Sequence, residues 1–328
     1  MRKNKTVVRI KQLIVDKIGW RSLAAVGLFV LLTLESRAVL SAMQRSLRLC
    51  AGSIIPALFP YLAASELLVS SGAGEQLARR FSAPLCTLFG ISPCGAVVYV
   101  MGLLCGFPVG ATTAAAYARL GKISKEELVH LLCFCNVPST AFVVNAVGAS
   151  LHGSVRVGWL LWGISIFSAA AVGVLYRLLF RRKGGEESQI VLRLDTTATV
   201  KDGNPLTRAA MGMLSVVATV LFFGALMGAL RALIDRAFVA DGRVWEGALA
   251  LLSAFLEMSS GVTAAASLGG ALSLLLCAAA LGWGGLSVHY QLFSASRGLL
   301  SGADITRFYL SRAMQAALCV VGIRLCGG

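Results

Sequence analysis

The chain has 328 residues, 57% of them hydrophobic and 14% charged, with mean hydropathy +0.79. It is too apolar and too poor in charge for a soluble globular protein, so it reads as an all-α polytopic membrane protein. A net charge of +15 would also suit a nucleic-acid binder, but no aromatic-interleaved basic face or zinc spacing accompanies it, and nucleic acid is excluded as a partner. The basic excess instead marks cytoplasmic loops.

The first 21 residues carry Arg2, Lys3, Lys5, Arg9, Lys11, Lys17 and Arg21 against Asp16, which predicts a cytoplasmic N-terminus. Leu23 to Leu34 is a first span, retained because no small-residue cleavage site follows it. Ser41 to Leu49, with Arg45 and Arg48, suits an interfacial helix. Ile54 to Ser70 is the second span and contains Pro56, Pro60 and an acid, Glu66, close enough to one end to snorkel. Arg79 and Arg80 mark a loop, and Phe81 to Gly90 is too short to cross.

The stretch from Gly102 to Gly148 is apolar but broken twice, at Gly106-Phe107-Pro108-Val109-Gly110 and at Asn136-Val137-Pro138. Backbone unwound at bilayer depth persists only where protein or a water-filled cavity satisfies it, so such breaks mark a cavity. The half-helix after each break aims free N–H groups and a positive dipole end at it. Thr112 and Thr113 open the half-helix after Gly110, while Pro138 fits the first turn of the next, capped by Asn136 or Ser139. Between them lies a polar turn, Arg119 to Glu127, where Ser124 and Glu127 fit a capping box. Val155 to Phe180 is a full span, and residues 181–207 form a long basic loop on the cytoplasmic side. The count over the first half is four full crossings plus re-entrant pieces.

These segments, GLLCGFPVGATTAAAYARLGKIS and LLCFCNVPSTAFVVNAVG, resemble the YlbJ (SpoVV) family of sporulation integral membrane proteins, part of the wider nucleoside-recognition, or Gate, group. The likeness runs from about Ala51 to about Val321. It implies a fold similar to concentrative nucleoside transporters, with a Gate-like hairpin at 93–150. It also implies a role in moving dipicolinate across the outer forespore membrane during endospore formation.

The loop divides the chain into a first membrane half, 22–180, and a second, 208–328, and an internal repeat links them. Gly110-Ala-Thr-Thr-Ala-Ala-Ala aligns with Gly261-Val-Thr-Ala-Ala-Ala-Ser, and the same separation of 151 residues places Asn136 on Ser287. The second half has apolar runs at Met211 to Ile234, Val244 to Leu256 and Leu310 to Ile323. Its breaks fall at Glu257 to Gly261 and at Gly282 to Gln291, where Gly284 and Gly285 lie. Whether the halves are mutually inverted stays open.

If the four breaks converge, the lining holds Thr112, Thr113, Asn136, Ser139, Glu257, Ser259, Ser260, Ser287, His289 and Gln291. Mostly neutral donors suit a small anionic substrate held without a fixed arginine clamp. A helix terminus contributes about 0.3 to 2 kcal/mol, so several direct hydrogen bonds of roughly 1.5 to 3 kcal/mol each are needed. Glu257 is expected to be protonated, to bind a coupling cation or to orient its loop; His289 carries a proton or donates a hydrogen bond. His130 and His152 read as interfacial.

No catalytic residue, metal or cofactor is expected apart from that coupling cation, whose identity is open. The cysteines lie in or beside apolar runs without a Cys-x-x-Cys pair, and they read as packing residues. There is no His-Glu-x-x-His site and no phosphate loop, since Gly121-Lys122 lacks the earlier glycine. Gly148-Ala149-Ser150 sets His152 where it cannot face the serine. The rivals to an anion transporter are a non-transporting scaffold or gate component and a nucleoside-type transporter. The lipid bilayer is the one certain partner, and the sequence permits an oligomer.

Overall fold

A computed structural model describes residues 20–71, 73–180, 204–238 and 242–326. The basic leader and most of the hydrophilic loop, on which the predicted sidedness rests, fall outside these. Every regular element among the described residues is helical. In the first half they are α1 (Trp20–Leu34), α2 (Ser36–Leu49), a π turn over Cys50–Ile54, α3 (Ile55–Ser70), α4 (Ala73–Phe89), α5 (Pro93–Cys105), α6 (Val109–Arg119), α7 (Lys125–Phe134), α8 (Ala141–Leu151, wound at π pitch) and α9 (Val155–Leu179). The second half contains α10 (Pro205–Ala237), α11 (Arg243–Leu256), α12 (Met258–Ser267), α13 (Gly270–Trp283), α14 (Gly285–Ala295) and α15 (Gly302–Leu325).

Four stretches are long and apolar enough to cross a bilayer: α9, α10, α15 and α13 with α14. Two bent pairs, Ser22–Leu34 with Ser36–Ile54 at 88° and Arg80–Phe89 with Pro93–Cys105 at 100°, raise the count to as many as six. The chain is therefore an integral membrane protein. Of the four crossings expected in the first half, only α9 is a single rod of that length; the remainder are bent or short. One further expectation is corrected. Arg79 and Arg80 lie inside α4, because arginine is a good helix former and its long stem lets a helix run on to the interface. The segment 41–49 belongs to a longer helix, α2, that packs on α10. Gly224-x-x-x-Gly228 of α10 makes that contact possible: a Cβ at Gly228 would lie 2.5 Å from Ala42 Cβ, and one at Gly224 would strike Ser46 Oγ. Small residues at this spacing let membrane helices approach backbone to backbone.

The two halves repeat the same order of elements at the separation of 151 residues: α5 and α6 correspond to α11 and α12, α7 and α8 to α13 and α14, α9 to α15. They also interlock reciprocally. The helix α7 packs on α15 while its counterpart α13 packs on α9, and α6 meets α14 while α12 meets α8. The broken elements of both halves are thus drawn to one place. Elsewhere the core is apolar, as where Phe89, Tyr99 and Phe134 cluster with ring centroids 4.6 to 5.2 Å apart.

Candidate functional site

Each break has its own local cause. After α5, Gly106 takes φ +70, ψ −162, a region essentially closed to residues with a Cβ, and a Cβ there would lie 2.5 Å from Ser139 N. The chain turns at Pro108 and α6 starts at Val109 with no side-chain cap. After α7 the chain leaves the helix from Asn136 to Ser139 before it rewinds. Of the two caps proposed, Ser139 is the one used, its Oγ accepting from Phe142 N at 3.3 Å. Asn136 instead donates Nδ2 to Leu132 O at 3.1 Å.

In the second half the first break is a single extended residue, Glu257 (φ −146, ψ 121). Its carboxylate turns onto the helix it precedes, accepting from Ser259 N at 2.9 Å and Ser260 N at 2.6 Å. Two orphan amides of α12 are so satisfied by a charge of favourable sign. The second break is the glycine pair Gly284 (φ +88) and Gly285 (φ +80). A Cβ at Gly285 would sit 2.8 Å from Met258 N, so the pair both turns the chain and lets the two breaks of this half touch. Gly261 is likewise pressed on Ala254 and Gly110 on Cys135 O, which is what those conspicuous glycines do.

All four breaks border one cavity of about 60 Å3, with Phe107, Pro138 and Ser139 from the first half and Glu257, Ser259 and Ser287 from the second among its walls. Gln291 lies on its wall, donating Nε2 to Thr219 Oγ1 at 3.1 Å. Thr219, on α10, escaped the sequence reading because it sits in an unbroken apolar span with no local signal of its own. Of the ten candidate residues, Ser139, Glu257, Ser259, Ser287 and Gln291 line this space. Thr112, Thr113, Asn136, Ser260 and His289 do not. Thr112 is exposed, its Oγ1 donating to Val109 O, and Thr113 is half-buried away from the cavity, because α6 begins earlier than Gly110. Ser260 contributes its backbone N–H to Glu257. His289 is buried, with Nε2 at 2.8 Å from Trp283 O. Ser287, His289 and Gln291 belong to the first turns of α14 itself, just past the break.

The cavity is polar on one side and carries one formal charge, Glu257, which is 4% exposed. Solute sites usually measure several hundred Å3, so at about 60 Å3 this one has room for water or an ion only. A second, larger cavity of about 320 Å3 opens where α7 and α15 begin and α4 and α9 end, between His130, Tyr176, Arg177 and Arg307. His130 was expected at the interface; it is buried on that cavity's wall, stacked on Tyr176 at 4.7 Å with Nε2 at 3.0 Å from Gly173 O. Helix α7 turns this face inward. His152 bridges Val147 O and Ser273 Oγ at 2.9 and 3.0 Å, which ties the end of α8 to α13.

Sequence reasoning also missed Arg312, in the middle of α15. It is 1% exposed and donates to Cys133 O at 2.6 Å and Asn136 O at 2.8 Å. The signal was there to use: an ionisable residue inside an apolar span is by default functional. Among the described residues no cluster of three His, Cys, Asp or Glu is placed to hold a metal.

Fold and site together define a polytopic α-helical membrane protein with paired broken helices around a small cavity that is polar on one side. No family model, no curated protein and no solved structure matches the chain.

Proposed function

We propose that the chain is a non-enzymatic membrane transporter that moves a small solute through the cavity where its four helix breaks converge. The observation that carries this reading is the convergence itself. Breaking four helices inside a bilayer is costly unless the freed backbone groups serve a site, and both halves of a duplicated fold break at matching points. The interlocked repeats supply two bodies whose relative movement opens the cavity to one side and then the other.

An anionic solute fits two features. The N-terminus of α14 carries no side-chain cap, and Ser287 in its first turn faces the cavity, so a free dipole end and a hydroxyl point at the same space. The N-terminus of α12 is not available in this way, since Glu257 fills it; a proton or a cation on Glu257 offsets its repulsion of an anion. The resemblance to the YlbJ (SpoVV) family supports dipicolinate as the solute and the outer forespore membrane as the location. The tightness of the cavity is what favours the rival reading of a non-transporting gate component. Liposomes holding the purified protein decide between them: uptake of labelled dipicolinate is expected under a proton or sodium gradient. No uptake under any gradient, by protein that is folded and inserted, leaves the gate component standing.

A further inference from the structure

The helix α7 and the unwound segment after it run from one cavity to the other. Glu127 and His130 line the larger cavity, the carbonyls of Cys133 and Asn136 hold Arg312, and Ser139 lines the central one. On α15, Arg307 lies on the larger cavity, and Arg312 follows about 7.5 Å further along the axis at ~1.5 Å per residue. The buried guanidinium therefore sits between the two spaces.

A helix-capping role accounts for only part of Arg312. Arginine does close off the last carbonyls of a helix, and two of its N–H groups do so here. Yet no ion pair among the described residues includes it, and its Nε has no hydrogen-bond partner within the protein. An unneutralised charge at bilayer depth is costly, and such groups persist where a path or ligand uses them. Three more buried atoms beside it also lack partners: Asn136 Oδ1, Gln315 Oε1 and His289 Nδ1. Asn136 is bonded to Arg312 through its carbonyl, Gln315 follows on the same helix, and His289 packs edge-on to Phe308 at 5.0 Å, the ring that the guanidinium overlies at 5.7 Å. Four unmatched polar atoms on three packed segments are more than a cap requires.

We propose that Arg312 is the charge contact of an anion site between the two cavities, which takes the carboxylate of a small solute when the carbonyls of Cys133 and Asn136 release the guanidinium. Its planar fork matches a carboxylate in two parallel hydrogen bonds. This deepens the transporter reading and rests on it for the solute's passage, but binding tests it separately. In the full-length protein in detergent, the probes are pyridine-2,6-dicarboxylate and its uncharged diamide. Wild type is expected to bind the dianion at least about tenfold more tightly. Arg312→Gln is expected to lose about 10- to 100-fold for the dianion and little for the diamide, and Arg312→Lys, which keeps charge but not the fork, about tenfold. Equal wild-type affinity for both probes, within about threefold, overturns the site even if Arg312→Gln does not fold. So does a folded Arg312→Gln, or an Arg312→Lys, that binds like wild type. Flux that survives Arg312→Gln removes this site and leaves the transporter; Arg312-dependent binding without flux in any gradient supports the site and removes the transporter.

Discussion

The two repeats place their breaks alike and fill them differently. Position 106 of the first corresponds to position 257 of the second: one is a glycine at positive φ with nothing to cap the helix that follows, the other a glutamate whose carboxylate takes two amides of that helix. Position 136 corresponds to 287: there an asparagine carbonyl accepts from Arg312, here a serine faces the cavity. The two halves share their order of helices and breaks but not their charge. Both buried charges at the breaks, Glu257 and Arg312, come from the second half, and Arg312 reaches across to finish a helix of the first. A symmetric scaffold thereby gains an electrostatic direction.

The sharpest way to break this comparison is to make the halves alike by writing Gly106→Glu. The backbone there is open only to glycine, at a cost of order 1 to 3 kcal/mol for other residues, and the new Cβ would press on Ser139 N, adding another ~1 to 3 kcal/mol of overpacking. The expected result is a loss of about 3 kcal/mol or more, read as failure to recover folded protein in detergent. If Gly106→Glu folds with its melting temperature unchanged, the first break is not the tight crossing described.

The reverse exchange acts at Glu257. Glu257→Ala leaves the buried amide of Ser259 and the half-buried amide of Ser260 without an acceptor and is expected to cost about 2 to 3 kcal/mol, as against about 1 for Glu257→Gln, which retains one acceptor oxygen. Thermal unfolding measures both. Solute flux is expected to vanish in Glu257→Ala, and a variant that is less stable but fully active would make Glu257 a cap and nothing more. Asn136→Ala should cost less, about 1 kcal/mol for the lost bond to Leu132 O, yet is likewise expected to abolish flux. Normal flux in Asn136→Ala leaves its side chain, which lies off the cavity, outside the solute's route.

What the sequence disclosed was mainly periodicity and its interruption. The glycine and proline clusters announced each break because their backbone chemistry is local, and Ser124 was legible as a cap for the same reason: its Oγ accepts from Glu127 N at 3.2 Å. The partner half of that capping box was not legible. Glu127 sends its carboxylate to Ser92 N at 2.6 Å, a choice set by how α5 packs and invisible along the chain. Thr112 and Thr113 were misplaced because a helix that starts a residue or two earlier rotates its side chains by about 100° each. Thr219 and the partners of Arg312 depend on which segments meet across the interlocked halves, and one sequence without a structure does not contain that.

The smallest effect is expected away from the breaks, where charge joins the two halves. The segment Ile54 to Ser70 carries Glu66, and Arg208 of α10 reaches it with Nε at 2.8 Å; the side chains are 27% and 18% exposed. The acid predicted to snorkel thus finds a cation at its end of the bundle instead. Pairs this accessible usually contribute about 0.2 to 1 kcal/mol, far below a charge sealed at a break. A double-mutant cycle with Glu66→Gln and Arg208→Gln is expected to give a coupling of about 0.5 kcal/mol and flux near that of wild type. A coupling above about 2 kcal/mol, or flux lost in either single variant, would mean that functional charge is not confined to the breaks, and the division between a structural periphery and a charged centre would fall.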